Sequence, residues 1–105
     1  MTGLMADLRA RPLSARGLSL TAVEDCLTGV RHLVGSGDAE PLGLPASDVV
    51  KFCFGDEGWV AVRPSGTEPK LKVYVGARAK SGPEAEKRLR ALRFAIEERV
   101  EPHLK

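Results

Sequence analysis

The hydrophobic residues change period along the chain, and each change marks an element. Leu4, Met5 and Leu8 recur at helical spacing between Thr2 and Arg11, with Pro12 next, so a short helix is predicted there. From Gly17 to Val23, Leu18, Leu20 and Ala22 alternate with Ser19, Thr21 and Val23, the signature of a strand with one wet face. Gly29, Gly35, Gly37, Pro41, Gly43 and Pro45 then interrupt the stretch from Glu24 to Ser47. That stretch is expected to be mostly loop, with a helical turn near Val30.

Asp48 to Phe54, rich in Val and Phe, reads as a strand, and Trp59 to Val62 as the next. Between them Gly55-Asp56-Glu57-Gly58 forms a turn, which predicts an antiparallel hairpin. Arg63 to Pro69 reads as a loop, because two prolines, a glycine, a serine and a threonine fall within seven residues. Leu71 to Arg78 alternates cleanly: Leu71, Val73, Val75 and Ala77 on one face, Lys72, Tyr74, Gly76 and Arg78 on the other. Ser81-Gly82-Pro83-Glu84 carries the marks of a helix start, with a capping serine, a first-turn proline and an acidic fourth residue. Ala85, Leu89, Leu92, Ile96 and Val100 follow at helical spacing, and Pro102 ends the pattern.

Consecutive strands framed by helices predict an α+β fold: an antiparallel sheet of about four strands with helices on one face. The 105 residues correspond to one domain, and 43% hydrophobic residues are enough for a modest core.

Composition narrows the functional classes. A net charge of +2 is too mild to predict nucleic-acid or membrane binding, and 29% charged residues is ordinary for a wetted surface. No apolar run is long enough to span a bilayer, and charges interleave with the leucines of the first eleven residues, unlike a signal peptide. Cys26 and Cys53 form no CxxC pair and have no histidine at metal-ligand spacing. Two reduced, buried thiols in a cytoplasmic protein are expected.

The chemistry concentrates in Arg63-Pro64-Ser65-Gly66-Thr67-Glu68-Pro69-Lys70. A phosphate needs converging donors and positive charge. Arg63 offers a planar fork of donors, and Ser65 and Thr67 offer hydroxyls two residues apart. Gly66 allows the backbone to bend and turn N–H groups toward an anion. Pro64 and Pro69 stiffen the ends, which lowers the entropy lost on binding. Lys70 and Lys72 continue the charge along one face of the next strand. The competing reading is a stiff inter-strand loop whose hydroxyls satisfy their own backbone. The segment lacks the GxxxxGK[ST] spacing of a nucleotide-binding P-loop.

This segment, with the Leu71-Lys72-Val73-Tyr74 that follows, resembles the C-terminal signature of the α-D-phosphohexomutases, the family of phosphoglucomutase and phosphomannomutase. Val23-Glu24-Asp25-Cys26-Leu27-Thr28-Gly29 resembles a second family segment, which usually has Tyr where Cys26 stands. Leu44-Pro45-Ala46-Ser47-Asp48-Val49-Val50-Lys51 resembles the stretch leading into the hairpin. The resemblance implies the fourth, C-terminal domain of such an enzyme, with a TBP-like two-layer fold, occupying residues 1–105. It implies that Arg63, Ser65, Gly66, Thr67 and Lys72 bind the substrate phosphate while chemistry proceeds on other domains. At the position of Lys72 the family often has Arg, so the charge is kept and the fork lost.

The family's phosphoserine nucleophile and Mg2+ ligands belong to its first two domains. Nothing here stands in for them, since no Asp-x-Asp-x-Asp run is present and Ser65 has no base nearby in sequence. No catalytic or metal residue is therefore expected, and this piece alone is expected to be inactive. Its expected partners are a phosphorylated hexose and the other domains of the same polypeptide, with Mg2+ serving the full-length enzyme. Two other functions fit the residues less well. One is a stand-alone module for phosphorylated ligands. The other is a nucleic-acid-binding domain, disfavoured by 5% aromatic residues and no recognisable stacking cluster. Structural or solvated roles are expected for His32, His103 and the charges Lys87, Arg88, Arg90 and Arg93. Trp59 reads as a sheet-packing residue before a sugar contact, and Glu68 as a loop support.

Overall fold

The computed structural model describes residues 2–43, 45–64 and 71–103. Helix α1 (Thr2–Ala10) comes first. Strands β1 (Ala22–Asp25), β2 (Val30–Leu33), β3 (Ala39–Pro41), β4 (Val50–Cys53), β5 (Gly58–Pro64) and β6 (Leu71–Ala77) follow. Helix α2 (Gly82–Val100) then runs into a 3-10 turn, Glu101–His103. The six strands form one antiparallel sheet in the order β3-β2-β1-β4-β5-β6.

Alternation along the central strands decides which face is dry. Val50 and Phe52 of β4 and Val60 and Val62 of β5 are fully buried, as are Leu4, Leu8 and Leu92 of the two helices. These residues form a single core, against which Val23, Val75 and Ala77 also pack. Both helices therefore cover the same face of the sheet. Ser81 Oγ accepts a hydrogen bond from Glu84 N at 3.3 Å and starts α2 as its sequence predicts.

The sheet is larger than the four strands expected. Segment 24–47, read as loop with a helical turn near Val30, contains β2 and β3. Its glycines make tight turns between strands. Gly29 (φ +73°) closes the β1–β2 connection, where Asp25 Oδ1 accepts from Leu27 N at 3.1 Å. Gly35 and Gly37, both at positive φ, turn β2 into β3. Frequent glycines signalled hairpins too short for their strands to show a period.

The strand expected at 17–23 begins only at Ala22. Gly17 (φ +78°) sits in a turn where Leu18 N donates to Ala15 O at 3.2 Å. The alternation also slips phase: Leu18, Leu20 and Val23 pack on the core, whereas Ala22 lies level with Cys53 and Trp59 on the opposite face.

Candidate functional site

The hairpin β4–β5 and its neighbour β6 position the candidate residues. Within β5, Gly58, Val60 and Val62 point at the helices, so Trp59, Ala61 and Arg63 point away from them. The register pairs Arg63 directly with Lys72, Ala61 with Tyr74 and Trp59 with Gly76. Directly opposed residues share a face. Arg63 and Lys72 are both exposed, and they stand together on the helix-free face. Pro64 pairs with Leu71 one step further on, at the end of the ladder.

Arg63 and Pro64, expected to open a loop, are instead the last residues of β5. Ser65, Gly66 and Thr67, with Glu68, Pro69 and Lys70, lie outside the described residues. Of the five expected phosphate contacts, the structure thus brings Arg63 and Lys72 together.

The surroundings of this pair were only partly visible in sequence. Lys51 of β4 pairs with Ala61, so Lys51, Ala61 and Tyr74 form one row across three strands. The turn Gly55–Gly58 carried the missing signal, since it sets Cys53 opposite Trp59 and therefore Lys51 opposite Ala61. Trp59 is 37% exposed and Tyr74 50% exposed, so neither is a core residue. The Trp59 ring lies over Gly76: a Cβ there would stand 2.4 Å from Nε1. Lys51 Nζ lies 5.0 Å from the Trp59 ring centre, a cation–π distance. Trp59 and Tyr74 are thus diagonal neighbours on one strand face, an aromatic grouping that composition alone did not suggest.

Other expected residues stand apart. Cys26 and Cys53 are free and half-buried, and burial, with the nearby Glu24, pushes both thiols above the ordinary cysteine range. His32 is an exposed residue of β2. On α2, Arg88 pairs with Glu84 and Glu57, and Arg90 lies near Glu86, as a solvated charged face should. A cavity of about 570 Å³ lies on the other side of the sheet between β6 and α2. Val73, Val75, Ile96 and Val100 are among the residues that line it. Among the described residues, no group of three or more His, Cys, Asp or Glu side chains is placed to hold a metal ion. No described helix is long and apolar enough to cross a membrane.

Comparison with known proteins shows the family of the chain. Residues 22–93 match the family model for the phosphoglucomutase/phosphomannomutase C-terminal domain, a range that holds all six strands and most of α2. A phosphoglucomutase of Staphylococcus aureus strain MSSA476 is 33% identical over 93 residues, covering 88% of this chain and 17% of the relative. A phosphoglucomutase of Staphylococcus epidermidis is 40% identical over 73 residues, covering 69% of this chain and 13% of the relative. The chain thus spans about a sixth of the length of the first of these relatives. No solved structure is significantly matched. The family match and the identity over most of the chain establish that this protein belongs to the phosphoglucomutase/phosphomannomutase C-terminal domain family.

Proposed function

We propose that this chain is the phosphate-gripping fourth domain of a phosphohexomutase, an enzyme that interconverts hexose 1-phosphates and 6-phosphates. One observation carries the reading: Arg63 and Lys72 are paired across adjacent strands on the open face, at the mouth of the Ser65–Lys70 segment. Arg63 supplies the fork that holds two phosphate oxygens, and Lys72 adds a second charge beside it. Ser65, Gly66 and Thr67 complete the grip with hydroxyl and backbone donors.

In such a mutase a bisphosphorylated sugar must turn around between two half-reactions, so the grip has to accept either end. A charge-based site on an open sheet face does this, where a tight sugar-shaped pocket would not. Binding energy from the gripped phosphate helps position the distant phosphoryl group for transfer. The nucleophile and Mg2+ site lie on other domains of a cytoplasmic polypeptide, so this piece alone turns over no substrate. Because most substrate contacts lie on those domains, the chain alone binds hexose phosphates weakly. A stand-alone phospho-ligand module would bind them tightly.

Calorimetric titration with glucose 1-phosphate, glucose 6-phosphate and glucose tests the reading. Both phosphates should bind with similar affinity in the range of about 1 mM, near −4 kcal/mol, and glucose should not bind. Equal binding of glucose, or strong preference for one phosphate isomer, would contradict a tolerant phosphate grip. Micromolar binding would favour the stand-alone module.

A further inference from the structure

The two edges of the sheet are built differently. β3 is three residues long, exposed throughout, and carries Glu40 and Pro41, which discourage another strand from pairing there. β6 has seven residues, no proline and a single charge, Lys72, on the open face. Among the described residues it pairs only with β5, so its outer edge presents N–H and C=O groups to a strand laid beside it. The core is also unfinished at this edge. Val73 lies on the helix-covered face, opposite the buried Val62, yet it is 37% exposed. With Val75, Ile96 and Val100 it lines the cavity of about 570 Å³ between β6 and α2. Arg93 and Glu97, about one helical turn apart and both exposed, line the same cavity. Among the described residues the ion pairs of α2 involve Arg88, Arg90 and Arg99, and Arg93 and Glu97 join none of them.

We propose that β6 and this cavity form a self-association surface whose occupant is a second copy of this chain, with the two β6 strands paired antiparallel about a two-fold axis. Such an axis requires one surface to be complementary to itself, and this surface is. Centred on Tyr74, the middle of the strand, the pairing uses all seven residues. Val73 then lies opposite Val75 of the second copy, apolar against apolar on the covered face. Lys72 lies opposite Gly76 of the second copy, so no like charges meet. Helix α2 packs over β5 and β6, where Leu92 meets Gly58, so the same axis lays the two α2 helices side by side and antiparallel. Antiparallel helices bring Arg93 of each copy toward Glu97 of the other, an opposite-charge pair made twice. Val73, Val75, Ile96 and Val100 of the two copies close a shared apolar strip where the cavity now lies. The proposal does not depend on the phosphate reading, because Arg63 and Lys72 stand on the opposite face of the sheet.

The test is sedimentation equilibrium of this chain from about 10 μM to about 1 mM, the range of a weak, small interface. The average mass should rise from that of a monomer toward that of a dimer. Arg93→Glu and Glu97→Arg should each weaken association about tenfold, since each sets like charges against one another across the axis. The double variant, Arg93→Glu with Glu97→Arg, should recover the original association. Val73→Lys, which puts a charge on the covered side of the edge strand, should abolish it. Circular dichroism of each variant checks the fold, and if Val73→Lys does not fold, the charge swap alone decides. A chain that stays monomeric throughout the range refutes the proposal. So does a dimer indifferent to the single charge variants or to a folded Val73→Lys, or one that the double variant fails to restore.

Discussion

Arg63 and Lys72 are direct partners across the β5–β6 ladder, on the face of the sheet that neither helix covers. Directly opposed residues have Cβ atoms about 5 Å apart, and like charges there are destabilising. The fold therefore carries a small internal repulsion that a bound dianion would relieve. Lys72→Glu should raise stability by about 0.5 kcal/mol, since it turns repulsion into attraction. The same change should weaken phosphate binding about tenfold or more, through loss of a charge-assisted hydrogen bond. Thermal melts with and without added phosphate read both effects. A variant that loses stability while keeping its response to phosphate would contradict this account of the pair.

Two glycines of the β5–β6 ladder should differ in their tolerance of a methyl group. A Cβ on Gly58 would stand 2.6 Å from Leu92 Cδ1 and 2.7 Å from the Gly76 carbonyl oxygen, a backbone atom that cannot swing away. A Cβ on Gly76 would first meet the Trp59 ring, on the exposed face. Gly58→Ala should destabilise by about 3 kcal/mol and Gly76→Ala by about 1 kcal/mol. The second should also change tryptophan fluorescence, as the ring leaves its seat. Equal melting temperatures for the two variants would count against this packing.

Arg9 joins α1 to the sheet. Its Nε donates to Asp25 Oδ2 at 3.1 Å and its Nη2 to Asp48 Oδ1 at 2.7 Å. Asp25 is only 8% exposed, so removing Arg9 leaves a nearly buried carboxylate without this partner. Arg9→Ala should cost about 2 kcal/mol by denaturant unfolding. Arg9→Ala with Asp25→Asn should recover part of that loss, because the stranded charge is gone. No recovery in the double variant would show that the guanidinium acts through packing.

Asp7 should contribute to the acid limb of stability. The hydrogen bond from Arg11 holds its carboxyl below the ordinary aspartate range, against some desolvation, and Arg99 adds to the effect. Arg99 Nη2 also donates to the Arg11 carbonyl at 2.7 Å, so this cluster ties α1 to α2. A carboxyl depressed in the folded state contributes fully above its unfolded value, about 3.9, and the contribution disappears as pH falls through the folded value. Stability should therefore decline below about pH 4, and Asp7→Asn should flatten that decline. An unchanged acid limb in Asp7→Asn would place the titration elsewhere.

Much of the fold was legible because its periods are long. The nineteen residues of α2 repeat their apolar positions several times and start on a capping serine. The seven residues of β6 alternate cleanly. β2 and β3, with four and three residues, are too short for alternation to rise above their glycines. At the site, residue types marked Arg63 and Lys72, and alternation placed Lys72 beside Tyr74. Strand pairing, which is non-local, was needed to place Lys51 and Ala61 in one row with Tyr74.

The central claim is that Arg63 clamps a phosphate dianion. Its guanidinium lies at an exposed strand end, so replacing it should leave the fold intact. The decisive measurement is the affinity of Arg63→Ala for inorganic phosphate, by calorimetry or NMR titration, beside that of the unaltered chain. The account predicts a loss of about tenfold to a hundredfold, with Arg63→Lys recovering only part of it because a lysine lacks the planar fork. Unchanged phosphate affinity in a folded Arg63→Ala chain would contradict it.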